Sequence, residues 1–112
     1  MLLLPIHFIQ AQYQLEIIEQ PVEARQLDGC VRIASGQQGV PNVRVDECDH
    51  AWKQVLDSSV TDKDGHFHLK PKDQGTIHYI RISSPGFNPR LYTVRLSKHW
   101  SPTLDLEINV ST

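Results

Sequence analysis

Two histidines near the middle of the chain have the spacing of metal ligands. His66 and His68 are two residues apart, so on a β-strand both imidazoles project from one face, which suits zinc or copper. Glu47, Asp49 and His50 could complete such a site. We favour the simpler interpretation, surface histidines on a solvated face, and we predict no bound metal and no other cofactor.

The other reactive residue types do not form a recognisable catalytic set. The segment Asp62-Lys63-Asp64-Gly65 begins like a calcium loop but lacks the third acidic ligand and the distant glutamate, so we interpret it as a turn. His78 shares a strand face with Ile80 and Ile82, which predicts a buried, hydrogen-bonded histidine. His99 has no evident nucleophile beside it. The chain is therefore predicted not to be an enzyme.

Aromatic residues in predicted loops offer a better argument for binding. Trp52 follows one strand candidate, Trp100 precedes the last one, and Phe87 with Asn88 lies in a third loop. Exposed rings on rigid loops can stack on sugar rings or contact a protein partner. We predict ligand contacts at these four residues. The alternative is that the rings only cover the ends of the hydrophobic core.

The two cysteines, Cys30 and Cys48, form an even set that suits an exported protein. Strand alternation places both on the faces that point away from the core. They would lie opposite each other if their strands paired directly, whereas strands in different sheets would need a bulge or an edge to join them. We predict a disulfide, with two free thiols as the alternative and a metal pair as the least favoured interpretation.

Composition limits the classes of function. The chain has 112 residues, with 13 acidic against 11 basic side chains and a formal charge of -2, so the basic surface of a nucleic-acid-binding protein is absent. Its length fits one folded domain.

The N-terminal segment predicts export. Residues 1–11 are apolar but too short to span a bilayer, and no transmembrane helix is expected. Ile9 and Ala11 fit the end of a signal peptide, although no basic residue precedes the leucines. We therefore interpret 1–11 as a signal-peptide remnant, with an N-terminal strand or a disordered tail as the alternative. Residues 12–26 are expected to be a lead-in segment or linker, and 27–112 to be the domain.

Turn residues recur at short intervals and separate seven strand candidates. The candidates are 28–33, 42–48, 53–61, 66–70, 76–83, 90–96 and 103–110, and none has a helical period. This spacing is typical of a β-sandwich. The predicted core comprises Val31, Ile33, Val43, Val45, Phe67, Leu69, Ile80, Ile82, Val94, Leu96, Leu106 and Ile108.

A set of short motifs resembles a known family. The motifs are Gly29-x-Val31, Gly39-Val40-Pro41-Asn42-Val43-x-Val45, Val60-Thr61-Asp62-x-Asp64-Gly65-x-Phe67-x-Leu69, and Tyr79-Ile80-Arg81-Ile82 followed by Ser84-Pro85-Gly86-Phe87. Together they are similar to the bacterial carboxypeptidase regulatory-like domain and cover residues 27–110. The resemblance implies a seven-stranded antiparallel Greek-key β-sandwich of the transthyretin (prealbumin) type. Glycine within the strand at Gly29 also predicts close approach by a neighbouring backbone.

The sequence is compatible with three functions. The resemblance implies a non-catalytic, periplasmic or extracellular module that binds carbohydrate or an envelope protein. A structural module that adds a sheet edge to its partners is the alternative. A transthyretin-like hydrolase is least favoured: the related hydroxyisourate hydrolases end in Tyr-Arg-Gly-Ser, whereas this chain ends in Asn109-Val110-Ser111-Thr112.

Overall fold

The structure is a computed structural model that describes residues 13–72, 75–98 and 103–111. These residues form eight β-strands, and none of them belongs to a helix that could cross a membrane. The strands are β1 (Glu16–Ala24), β2 (Asp28–Ile33), β3 (Arg44–Cys48), β4 (Val55–Val60), β5 (His66–His68), β6 (Ile77–Ser83), β7 (Arg90–Leu96) and β8 (Leu104–Ile108). The predicted all-β class is confirmed.

The strands form two mixed sheets in a sandwich-like arrangement. The larger sheet has the order β1-β7-β6-β3-β4 and the smaller one β5-β2-β8. Two pairs, β1 with β7 and β2 with β8, run parallel, and the others are antiparallel. The prediction of seven strands is therefore wrong, and so is the prediction that all of them pair antiparallel.

The additional strand is β1, which lies within the segment that the sequence marks as a lead-in or linker. Pro21 suggests a non-strand segment, but a proline is tolerated on an edge strand because its missing N–H need not face a neighbour. β1 is an edge strand, and its register with β7 shifts between Ile18 and Val22, around the proline. A segment that is mostly exposed thus joins the sheet through its backbone.

The core is that of the sequence prediction. Alternate residues of each strand point between the two sheets, so apolar side chains from both sheets meet there. Ten of the twelve predicted positions are buried, and Ile33 and Leu96 are partly buried against that cluster. The buried cluster also includes residues that the prediction omitted: Ala24, Leu27, Val40, Tyr92 and Leu104.

Glycine is required where backbones cross most closely. A Cβ on Gly29 of β2 would lie 1.8 Å from the carbonyl oxygen of Leu104 in β8, which confirms the predicted close approach. A Cβ on Gly39 would lie 1.9 Å from the carbonyl oxygen of Asp64. Gly65 has a φ of 86°, a conformation that favours glycine. A Cβ added at Gly65 would also lie only 2.7 Å from the carbonyl oxygen of Val31. β2 is therefore enclosed by backbone on both sides.

The cysteines are free, and the predicted Cys30–Cys48 disulfide is wrong for this structure. Cys30 belongs to β2 in the smaller sheet and Cys48 to β3 in the larger one. Because each cysteine alternates with an inward-facing neighbour, the two thiols lie on the outer faces of different sheets and point away from each other. Both are nevertheless covered, and burial raises the pKa of each thiol, which favours the protonated form.

We expect Gly29→Ala to destabilise the protein by about 3 kcal/mol, because the added methyl group must push β8 away from β2. Gly36→Ala is the matched control, since a Cβ at Gly36 meets nothing within 4 Å. Urea unfolding measures both. Equal stability of the two variants would contradict the close approach.

Candidate binding site

The histidine pair predicted as a weak metal candidate lies on the exposed face of β5. The Nδ1 atom of His68 contacts Asp28 in the neighbouring strand β2. Ligand atoms of His66, Asp62 and Asp64 lie within 4.8 Å of one another. Asp62 accepts hydrogen bonds from the backbone N–H groups of His66 and Asp64, and these bonds lower the pKa of Asp62. These hydrogen bonds are those of the predicted turn. The two histidines do not share a partner, since His66 lies near Asp62 and His68 contacts Asp28.

Glu47 and His78 form a buried pair between the sheets. Their side chains are 0% and 1% exposed, and the Nδ1 atom of His78 lies 2.8 Å from a carboxylate oxygen of Glu47. Glu47 also accepts a bond from the backbone N–H of Lys72. The predicted buried, hydrogen-bonded His78 is confirmed, and Glu47 stabilises the core rather than joining a metal site with His66.

The sequence contains a signal for this pair that our site prediction overlooked. Glu47 continues the alternation of Val43 and Val45, which places it on the inward face of β3. His78 is in phase with Ile80 in the same way. Because a buried charge needs a partner, two ionisable residues on inward faces are expected to pair with each other.

We expect Glu47→Leu to destabilise the protein by about 3–5 kcal/mol, because His78 would stay buried without its partner. The Nε2 atom of His78 already has no hydrogen-bond partner among the residues that the structure describes. The double variant Glu47→Leu with His78→Leu should recover part of the loss. A double-mutant cycle by urea unfolding measures the coupling, and additive losses would contradict it.

A groove opens at the end of the larger sheet where β3 begins and β6 ends, away from the Glu47–His78 pair. Its volume is about 350 Å³. Two aromatic rings and two prolines make most of the wall, while an arginine and hydroxyl groups supply its polar part. The lining residues are Tyr13, Asn42, Arg44, Ser83, Ser84, Pro85, Phe87 and Pro89. A pocket with apolar walls and a few polar groups is the usual form of a small-ligand site.

The groove depends on the tight turn between β6 and β7. Pro85 and Gly86 occupy its centre, Gly86 has a φ of 86°, and the N–H of Phe87 donates to the carbonyl oxygen of Ser84 at 3.1 Å. These are features of a type II turn, in which proline precedes glycine. Phe87 then pairs with Val110 after β8. The predicted contact residue Phe87 is thus held half-buried at the edge of the groove.

Asn88, also predicted as a contact residue, supports the groove instead of lining it. It is 8% exposed. Its side-chain oxygen accepts from the N–H of Gln14, and its amide donates to Glu16. Tyr13 precedes Gln14, and its hydroxyl accepts a hydrogen bond from the N–H of Gly86 at 3.3 Å. Tyr13 was not identified from the sequence, although an aromatic residue in an exposed extended segment is a usable signal.

Glu16 joins three parts of the chain beside the groove. Its carboxylate accepts hydrogen bonds from Asn109, Arg90 and Asn88. Burial opposes the charge, but these three hydrogen bonds and the nearby guanidinium outweigh it and lower the pKa of Glu16. Glu16 therefore fixes β1 to the loop before β7 and to the segment after β8.

A second charged cluster lies on the outer face of the larger sheet. Asp46 is 1% exposed and accepts hydrogen bonds from Arg44 at 2.8 Å, Ser58 at 2.5 Å and Arg81 at 3.0 Å. Burial by itself raises the pKa of Asp46. The three hydrogen bonds lower the pKa by more than burial raises it, so the net shift is downward. The ionised carboxylate thereby holds both guanidinium groups at the outer face of the sheet, and Arg44 also lines the groove.

Trp52 lies at the other end of the same face. It occupies a turn in which Asp49 accepts hydrogen bonds from the N–H groups of Lys53 and Gln54. The ring of Trp52 meets that of Tyr79 edge to face, with centroids 5.5 Å apart. Trp52 is half-buried and does not line the groove with Phe87. Trp100, the remaining predicted contact, lies outside the described residues.

Lowering the pH should weaken the fold through Asp46. Because its pKa is depressed in the folded protein, its stabilisation is fully present above the ordinary aspartate pKa of 3.8 and is lost as the pH falls below that value through the folded pKa. Asp46→Asn should lower the unfolding free energy at pH 7 by about 2 kcal/mol and flatten its acid dependence. Urea midpoints measured across this range check both effects.

Ser58→Ala provides a graded comparison, since it removes one of the three hydrogen bonds to Asp46. It should shift the acid dependence in the same direction by a smaller amount. An unchanged pH profile in Asp46→Asn would show that other carboxylates, such as Glu16, govern the acid response.

Comparison with models of protein families finds none that matches the chain, and comparison with curated proteins finds no match either. The resemblance to carboxypeptidase regulatory-like domains therefore stays a prediction. The groove, the arginine cluster and the aromatic pair carry the functional interpretation.

Proposed function

We propose that the protein is a non-catalytic carbohydrate-binding module that acts outside the cytoplasm. The observation that carries this proposal is a strip on one face of the larger sheet, with aromatic rings at each end and two arginines between. We call it the outer strip. Its residues are Tyr13 and Phe87 at the groove, Arg44 and Arg81 at the centre, and Tyr79 with Trp52 at the far end.

The strip has the length of an extended ligand. Arg44 lies opposite Ser83 and Cys48 opposite Tyr79, so the groove and the aromatic pair are separated by four residues along β3. At the rise of a strand this is roughly 13 Å. An oligosaccharide of a few rings can contact both ends at once. Each aromatic contact contributes only on the order of 1 kcal/mol, so a single chain should bind with micromolar to millimolar affinity.

The charges of the outer strip favour an acidic sugar. Two guanidinium groups share the single carboxylate of Asp46, which leaves an excess positive charge. The Arg44 side chain is 57% exposed, and its Nε atom is the one bonded to Asp46. The rest of that guanidinium can donate to a carboxylate or sulfate on the ligand. Because the contact is exposed, added salt should weaken it.

The same geometry argues against catalysis in the strip. Glycoside hydrolysis needs a proton-donating carboxylic acid beside a second carboxylate. Asp46 is buried under its three donors, and its lowered pKa keeps it ionised near neutrality. It is therefore suited to orient Arg44 and Arg81 and unsuited to donate a proton.

The resemblance to carboxypeptidase regulatory-like domains supports a non-catalytic binding module as the class of protein. We propose that the two sheets are a variant of the prealbumin-type sandwich with an added edge strand, β1. Export is proposed from residues 1–11, which lie outside the described residues. An envelope protein in place of a carbohydrate is the competing ligand.

Titration with neutral and acidic oligosaccharides tests the proposal, with tryptophan fluorescence and calorimetry as readouts. Phe87→Ala and Tyr13→Ala should each weaken binding about fivefold, the equivalent of about 1 kcal/mol. Arg81→Ala should weaken acidic ligands more than neutral ones.

Arg32→Ala is the matched control for Arg81→Ala. Arg32 also pairs with an aspartate, Asp105, but on the exposed face of the smaller sheet, so its loss should leave binding unchanged. Absence of binding to every oligosaccharide, or equal losses from both arginine variants, would refute the assignment of the outer strip.

A further inference from the structure

The two sheets have four edge strands, and three of them carry features that prevent pairing with another strand. β1 contains Pro21 and a register shift. β5 has only three residues. β8 places Asp105 and Glu107 on its exposed face. Proline, irregular register, short length and charge are the usual means by which proteins protect a sheet edge.

β4 lacks most of this protection. Its sequence is Val55-Leu56-Asp57-Ser58-Ser59-Val60, with no proline, glycine or basic residue. Three of its apolar side chains are exposed, with fractions of 42% for Val55, 36% for Leu56 and 59% for Val60. The register shift opposite Glu47 and Cys48 falls at Leu56, which has no partner in β3, and residues 57–60 keep a regular ladder with β3. Within the described residues, no strand pairs with its outer side.

The hydrogen bonds to β3 show which backbone groups of β4 are available. The N–H of Thr61, the residue after β4, donates to the carbonyl oxygen of Val43 at 2.9 Å. Antiparallel strands alternate between residues that bond a given neighbour and residues that face away from it. Ser59 therefore also bonds β3, while the N–H and C=O groups of Ser58 and Val60 point to the open edge.

We propose that β4 pairs antiparallel with β4 of a second copy of this chain, across a twofold axis at Ser58. In this register Leu56 of one chain lies opposite Val60 of the other, twice by symmetry, and the two Ser58 residues face each other. The pairing would form about four new backbone hydrogen bonds. It would also cover the exposed apolar side chains of the edge.

Charge favours this register and this partner. Asp57 is the single charged residue of β4, and here it faces Ser59 of the second copy, whose hydroxyl can donate to it. A shift of the axis to Asp57 would place two carboxylates opposite each other, which is unfavourable. The formal charge of the whole chain is only -2, so repulsion between copies is weak.

The dimer has a consequence for the outer strip. A twofold axis perpendicular to the sheet leaves the outer faces of both copies on the same side of one continuous sheet. Two weak sites on one side can engage a long ligand together, which raises the overall affinity. The pairing itself depends only on β4, so it can be tested apart from any ligand.

Sedimentation velocity of the full chain over a range of concentrations tests the proposal. We expect a reversible monomer–dimer equilibrium with a dissociation constant on the order of micromolar, as suits a small interface. Leu56→Lys and Val60→Glu should each raise the dissociation constant at least tenfold. Ile17→Lys is the matched control, since Ile17 is an exposed apolar residue on the opposite edge, and it should change nothing.

The register is tested by combining the two substitutions. In a chain with Leu56→Lys and Val60→Glu, each introduced lysine faces an introduced glutamate across the axis, so dimerisation should return. Thermal unfolding verifies that the variants remain folded. A monomer at all concentrations would overturn the proposal, as would a dimer that Leu56→Lys leaves intact or a double variant that stays monomeric.

Discussion

The close backbone contact around β2 is the constraint on which the two-sheet arrangement depends. β2 is the central strand of the smaller sheet, with β5 on one side and β8 on the other. Gly29 admits the carbonyl of Leu104, and Gly65 lies against the carbonyl of Val31. Any side chain at these positions would separate the strands. Because β2 also supplies Val31 to the core, its position determines how the smaller sheet packs on the larger one.

Two buried carboxylates and one partly buried carboxylate fix the larger sheet at three places. Glu16 joins β1 to the turn beside the groove, Glu47 holds His78 in the core, and Asp46 holds Arg44 and Arg81 on the outer face. Each carboxylate has several donors, which offsets the loss of hydration on burial. The face proposed to bind a ligand thus depends on groups that lie outside the proposed contacts. Apolar packing supplies the fold, and these contacts set the direction of the exposed rings and guanidinium groups.

Strand alternation explains why so much of the fold follows from the sequence. β2 spans the predicted residues 28–33, and the other predicted strands contain β3 to β8. The Asp62–Gly65 and Pro85–Gly86 turns also follow from local chemistry, because aspartate and glycine satisfy the backbone within a few residues. β1 was missed because Pro21 and its exposed side chains give it no apolar period. Its place in the sheet comes from backbone pairing with β7, which is distant in sequence.

The sequence by itself determined the class of the fold, the core, the tight turns and the burial of His78, since all of these depend on local residue pattern. Only the tertiary structure decided which distant residues meet. It separated Cys30 from Cys48 by placing their strands in different sheets, and it separated Trp52 from Phe87 by the length of β3. It also brought Tyr13 to the groove. Alternation specifies the face of a residue, whereas sheet order and register specify its neighbours, and these arise from packing of the whole chain.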